Sequence, residues 1–132
     1  MNEDEVKRRG IDLKGRTKLF ALRVIRLYCA LPQTTVAQTL GKQVLRSGTS
    51  VGAHYREACR ARWDAEFVSK IEGGLQELEE TAYWLELLTE AEIVKAERLA
   101  DLLREADELT AIELTAILRD SNRTWPGGRC RR

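Results

Sequence analysis

Residues 41–62 read GKQVLRSGTSVGAHYREACRAR. As a helix this run sorts its side chains onto three separate faces, and that constrains the fold more than any other part of the chain. At about 100° per residue, with Lys42 as zero, Leu40, Val44, Ser47, Val51, His54 and Ala58 fall between roughly 120° and 200°, a stripe suited to burial. Gly41, Gly48 and Gly52 gather at roughly 240–280°, while Lys42, Arg46, Arg56 and Arg60 lie within about 40° of zero, opposite the stripe. Such a helix has a core face, a flank open to close approach and a cationic back. Its weak point is 46–52, where Ser, Thr and two glycines each cost about 0.5–1 kcal/mol relative to Ala. A kink or a tight helix contact is the structural use of such a stretch.

Three further segments carry helical periodicity. Residues 16–31 predict a first helix that stops before Pro32, because the residue preceding a proline is pushed out of the helical region. Phe20, Val24, Leu27 and Leu31 line one side of it. Leu22 and Ile25 lie on roughly the opposite side, and a helix apolar on two faces calls for a second partner such as another subunit. The second helix is expected from Thr34 or Thr35, either of which can cap it, to about residue 62. Asp64 is the expected N-cap of a third, reaching about residue 89, with Phe67, Ile71, Leu75, Leu78, Ala82, Leu85 and Leu88 close to a heptad pattern. Gly73-Gly74 in its middle costs about 1 kcal/mol per glycine and suggests close packing. A fourth helix over 92–121 carries Leu99, Leu102, Leu103, Ala106, Leu109, Ile112, Ala116 and Ile117 inward. Residues 1–15, broken by Gly10 and Gly15, read as a polar arm, and 122–132, containing Pro126, as a basic tail. With no strand pattern, the expected fold is all-α, an antiparallel up-down-up-down four-helix bundle over residues 16–121. A length of 132 residues with 43% hydrophobic content suffices for one such domain.

The formal charge of +1 conceals a polarity along the chain. Residues 1–62 hold 13 Lys or Arg against 5 Asp or Glu, residues 63–122 hold 5 against 16, and 123–132 add four arginines. Such asymmetry points to an anionic ligand for the basic half, or equally to the two halves pairing with each other. No apolar run reaches 18 residues and the first ten residues, MNEDEVKRRG, are charged, which predicts a cytoplasmic protein with no membrane span. Cys29, Cys59 and Cys130 lack Cys-x-x-Cys spacing and read as reduced structural thiols.

Catalytic chemistry finds little material. His54 is the one histidine and projects to the edge of the core stripe, where a hydrogen-bonded core imidazole is the expected role. The Glu-x-x-His pairs of di-iron bundles are missing, and Cys59 has no histidine on its face to activate it. Gly41-Lys42 is not a phosphate loop, since Val36 stands where its first glycine belongs and Gln43 follows the lysine. A non-enzyme without metal or cofactor is the expectation. What remains is the cationic back: Lys42, Arg46, Arg56 and Arg60 span about 27 Å at 1.5 Å per residue, with small Thr49 and Ala53 between them. That suits a phosphate backbone, with contacts that ignore sequence and weaken in salt. Arg16, Arg23 and Arg26 of the first helix can extend the surface. The same residues suit a solvated face or one paired with acidic helices of a neighbour.

The run GKQVLRSGTSVGAHYREACRAR, with FALRVIRLYCALP before it and EFVSKI and TAYWLELL after it, resembles the small four-helix-bundle proteins encoded in intervening sequences of bacterial 23S ribosomal RNA genes. It also resembles the related accessory proteins of diversity-generating retroelements. The resemblance covers about residues 16–120, chiefly through GKQVLRSGTSVGA and YREA. It implies a single up-down bundle assembled into a ring-like homopentamer. From the retroelement relatives it implies RNA or DNA binding through a basic surface and partnership with a reverse transcriptase. It brings no catalytic residues. This chain departs from the family's usual Asn at His54, and its tail from Trp125 lies outside the resemblance.

Overall fold

The structure, a computed structural model, describes residues 12–121, which form four α-helices in sequence: α1 (Leu13–Ala30), α2 (Thr35–Cys59), α3 (Asp64–Glu90) and α4 (Ala96–Ser121). Among the described residues there is no strand, and the short connections make the helices run up, down, up, down. Each helix packs on its neighbours in sequence, most extensively α2 on α3, and α1 also touches α4 more lightly. The expected bundle is the observed one.

The helix ends differ from expectation for local reasons. Helix α1 begins at Leu13, three residues before the expected start, because the Asp12 carboxylate accepts the Gly15 backbone N–H at 3.0 Å. Gly15 therefore lies in the first helical turn and does not interrupt a polar arm; the arm proposed for 1–15 loses its last residues to the cap and helix, and 1–11 lie outside the described residues, as does the tail 122–132. Thr34 caps α2 by accepting from Ala37 N–H at 3.2 Å. The α1–α2 turn is pinned by Tyr28, whose hydroxyl donates to Gln38 Oε1 (2.8 Å), while Gln38 Nε2 donates to the Pro32 carbonyl (2.9 Å). Helix α2 stops at Cys59 with Arg60 as its C-cap, short of residue 62. Asp64 is not the cap of α3 but its first residue; Trp63 takes the cap position, and Glu66 reaches back to the Arg62 backbone N–H at 3.2 Å. Helix α4 starts at Ala96 instead of residue 92, because the amides of Ala91, Glu92, Ile93 and Val94 still bond back to the carbonyls of Leu87, Thr89 and Leu88. Glu92 makes that turn at a φ of 61°, the left-handed position that usually closes a helix.

The core forms around Phe20 and Val24 of α1, Val44 and Val51 of α2, Ile71, Leu78 and Leu85 of α3, and Leu99 and Leu109 of α4. The glycine flank of α2 meets α1: a Cβ at Gly41 would lie 2.5 Å from Leu31, at Gly48 2.7 Å from Val24 and at Gly52 3.2 Å from Thr17. The weak stretch 46–52 thus serves a tight helix contact, one of the two uses expected of it. On the other side of α2, Ser47 accepts from the Thr81 hydroxyl at 2.8 Å while donating to the Gln43 carbonyl at 2.9 Å, so the buried polar pair between α2 and α3 is satisfied.

The Gly73-Gly74 pair finds its explanation in two neighbouring helices. A Cβ at Gly73 would lie 2.8 Å from the His54 ring of α2, and one at Gly74 3.0 Å from a carboxylate oxygen of Glu113 on α4. The pair makes room for the chain's one imidazole and for a carboxyl group that is 0% exposed.

Candidate nucleic-acid interface

Ion pairing divides the seven cations expected to form a basic surface. Arg46 bridges to Glu77 and Glu80 of α3, each at 3.1 Å. Arg16 donates from Nε to Glu105 Oε2 at 3.1 Å and from Nη2 to Glu108 Oε2 at 2.8 Å, tying α1 to α4. These two arginines face the acidic half of their own chain. The spacing of one helix could not show this, because the partners stand on others. Burial pushes the Glu77 carboxyl above its ordinary range, against the pull of the Arg46 charge.

The remaining five form no ion pair with a described carboxylate. Lys42, Arg56, Arg60 and Arg26 are exposed and Arg23 is half-buried. Arg56 and Arg60 stand at the C-terminal end of α2, beside the first turn of α1, where Lys14 joins them around a cleft walled also by Cys59. Lys14 had no place in the basic surface read from sequence, because its position in the chain assigned it to an arm. Glu57, between the two arginines in sequence, turns away to Lys70 of α3 at 2.9 Å, and that hydrogen bond holds its carboxyl below the ordinary range. Its carboxylate still feels the Arg60 charge, more weakly than that of Lys70.

Leu22 and Ile25, the candidate oligomer seam, are each 39% exposed, and Leu19 beside them is 51% exposed. Three large apolar side chains at intervals of three thus run along the outer face of α1, flanked by Arg23 and Arg26. The interface reading named two of the three; Leu19 completes the same spacing.

Two titratable groups complete the picture, His54 half-buried and Glu113 buried. His54 was expected to be hydrogen-bonded, but its Nδ1 is buried and makes no hydrogen bond with the described residues; the ring packs against Gly73 instead. Neither carboxylate oxygen of Glu113 has a hydrogen-bond partner there, and burial raises its pKa to about 8. Sequence reasoning placed Ile112 inward and passed over Glu113. The signal was present, since Leu99, Leu102, Ala106, Leu109, Glu113 and Ala116 alternate by three and four residues. Among the described residues no cluster of His, Cys, Asp and Glu could hold a metal ion, and no helix is long and apolar enough to cross a membrane.

The arrangement therefore offers cations at the surface of α1 and α2. No curated protein matches this sequence. The structure is similar to the crystal structure of a protein of unknown function from the S23 ribosomal protein family of Bacteroides thetaiotaomicron. The TM-score is 0.76 and the sequence identity 36%, over 80% of this chain and 98% of that one. Neither that description nor the family's indicates an enzyme. The family model for the 23S rRNA-intervening sequence protein matches residues 11–114, and the chain belongs to that family.

Proposed function

We propose that the protein is a non-enzymatic cytoplasmic scaffold that assembles with copies of itself and presents a basic surface to RNA or DNA. The observation that carries this reading is the partition of its cations: Arg16 and Arg46 pair with the acidic helices, while Lys42, Arg56, Arg60, Arg23 and Arg26 of α1 and α2 form no ion pair with a described carboxylate. A surface of one sign attracts polyanions and loses affinity steeply as salt rises. The pentameric state and a reverse transcriptase as further partner rest on the resemblance of GKQVLRSGTSVGA and YREA to relatives that have them.

The test is a panel of RNA and DNA oligonucleotides measured against salt. Binding at about 50 mM salt that falls linearly in log K against log salt is the expected result. Reversing Lys42, Arg56 and Arg60 to Glu should abolish it while leaving the mass in solution unchanged. A panel with no binding at low salt refutes the nucleic-acid reading, and loss of assembly in the reversed variant makes this surface a subunit contact.

The exposed stripe of Leu19, Leu22 and Ile25 favours a second reading, a protein-interaction module whose faces serve subunits or a protein partner without nucleic acid. Leu22→Glu is expected to lower the mass in solution toward that of one chain. A variant of unchanged mass would remove α1 as the seam.

A further inference from the structure

Helix α1 contains no carboxylate, and each residue of its exposed apolar stripe has a cation next to it in sequence: Lys18 before Leu19, Arg23 after Leu22 and Arg26 after Ile25. Two copies joined through this stripe about a two-fold axis would set the same face of α1 against itself, cation toward cation. Like charges placed opposite each other across an interface select against that pairing. The stripe therefore calls for a surface of different character.

The other half of the bundle has one. Between α3 and α4 runs a half-open groove of about 310 Å³, lined by Ala82, Glu86, Thr89 and Glu90 of α3 and by Ala96 and Leu103 of α4. The Thr89 hydroxyl donates to the Leu85 carbonyl at 3.3 Å, so this polar group is already bonded within its own helix. What the groove offers a neighbour is an apolar floor with two exposed carboxylates, and among the described residues no cation lines it. Ala82 to Thr89 rises about 10 Å along α3 and Leu19 to Ile25 about 9 Å along α1, at 1.5 Å per residue, so groove and stripe agree in length. They agree in charge as well. Among the described residues neither Glu86 and Glu90 nor Arg23 and Arg26 are held in ion pairs of their own chain.

We propose that the α1 stripe of one copy docks in the α3–α4 groove of a second copy, with Leu19, Leu22 and Ile25 covering Ala82 and Leu103 while Arg23 and Arg26 approach Glu86 and Glu90. The contact joins two different surfaces, so each copy has one of either kind to offer the next until the assembly closes on itself. Arg23 and Arg26 then serve the seam, and Lys42, Arg56 and Arg60 of α2 lie outside it. The seam rests on the self-assembly reading and deepens it by naming the surface that receives α1; it is independent of nucleic acid.

The test is the mass of the full chain in solution, followed by analytical ultracentrifugation over a range of protein concentrations. Arg23→Glu with Arg26→Glu, and separately Glu86→Arg with Glu90→Arg, should each weaken association by about tenfold or more and shift the mass toward that of one chain. A chain with all four changes has the charges matched in reverse and is expected to recover the wild-type mass. Ala82→Trp fills the groove without altering charge and should also lower the mass. Far-UV circular dichroism establishes that each variant keeps its helices. A folded groove reversal of unchanged mass overturns the seam and leaves self-assembly standing, as does a folded four-change chain that stays single. A wild type with the mass of one chain at every concentration overturns both the seam and the self-assembly reading.

Discussion

Replacing Glu113 by Met is expected to stabilise the bundle by several kcal/mol at pH 8 and to remove most of the pH dependence of its stability between pH 4.5 and 8. The carboxyl is 0% exposed, neither oxygen has a hydrogen-bond partner among the described residues, and burial alone raises its pKa from 4.5 to about 8. The sign follows from proton counting. Between those two values the folded chain holds a proton that the unfolded chain has released, so stability falls as pH rises. Below 4.5 both states are protonated and the stability is fully present; above 8 both are ionised and the loss is complete. With about 1.4 kcal/mol per pH unit, the loss across the window is on the order of 4 kcal/mol. That is a large share of the 5–15 kcal/mol typical of a domain. Met matches the length of Glu, keeps Gly74 filled and carries no group that needs a partner. Glu113→Gln should also flatten the pH dependence, with a smaller gain, since its amide still lacks partners. Urea unfolding at pH 5, 6, 7 and 8, at one protein concentration, measures both. If Glu113→Gln keeps the wild-type slope, the carboxyl does not titrate as its burial dictates.

Glu113 is also the inner residue of α4 that an apolar pattern does not reveal. The periodicity of each helix made the bundle legible, because apolar residues at spacings of three and four have one way to be buried together. A heptad position filled by Glu breaks the apolar pattern, so its neighbour Ile112 looked like the better inner residue, although the spacing led through 113. Gly73-Gly74 was visible as an anomaly and could not be explained, since the groups it accommodates, His54 and Glu113, come from two other helices. The ion pairs of Arg16 and Arg46 are invisible for the same reason: angles around one helix report direction, and the carboxylates that occupy their directions lie on α3 and α4. Lys14 lies in the first turn of α1 because the Asp12 cap starts that helix three residues before the apolar periodicity predicts. What a single helix dictates was legible; what two helices dictate together was not. The match to 23S rRNA-intervening sequence proteins agrees with the motifs GKQVLRSGTSVGA and YREA.

Gly48→Ala is expected to destabilise the protein by about 2 kcal/mol, although Ala is the better helix former by about 1 kcal/mol. The added Cβ would stand 2.7 and 2.9 Å from the two methyl groups of Val24 and 3.2 Å from its Cβ. Val24 is 0% exposed and β-branched, so it has little freedom to rotate away. The clash must move α1 off α2 or strain the core, and overpacking of this kind costs about 1–3 kcal/mol or more. Gly52→Ala meets Thr17 at 3.2 Å or farther, so its cost should be offset by the gain in helix propensity and leave stability nearly unchanged. Adding Val24→Ala to Gly48→Ala should cost less than the sum of the two single changes, because the small partner admits the new methyl group. Chemical unfolding of the four variants decides it, and a Gly48→Ala protein more stable than the wild type would show that the α1–α2 contact yields. The consequence reaches the surface, since α1 carries Leu19, Leu22 and Ile25 together with Arg23 and Arg26 on its outer side. A displaced α1 changes the position of that whole face relative to Lys42, Arg56 and Arg60 on α2. Assembly or polynucleotide binding that depends on both helices should therefore weaken in Gly48→Ala and recover in the double variant with Val24→Ala.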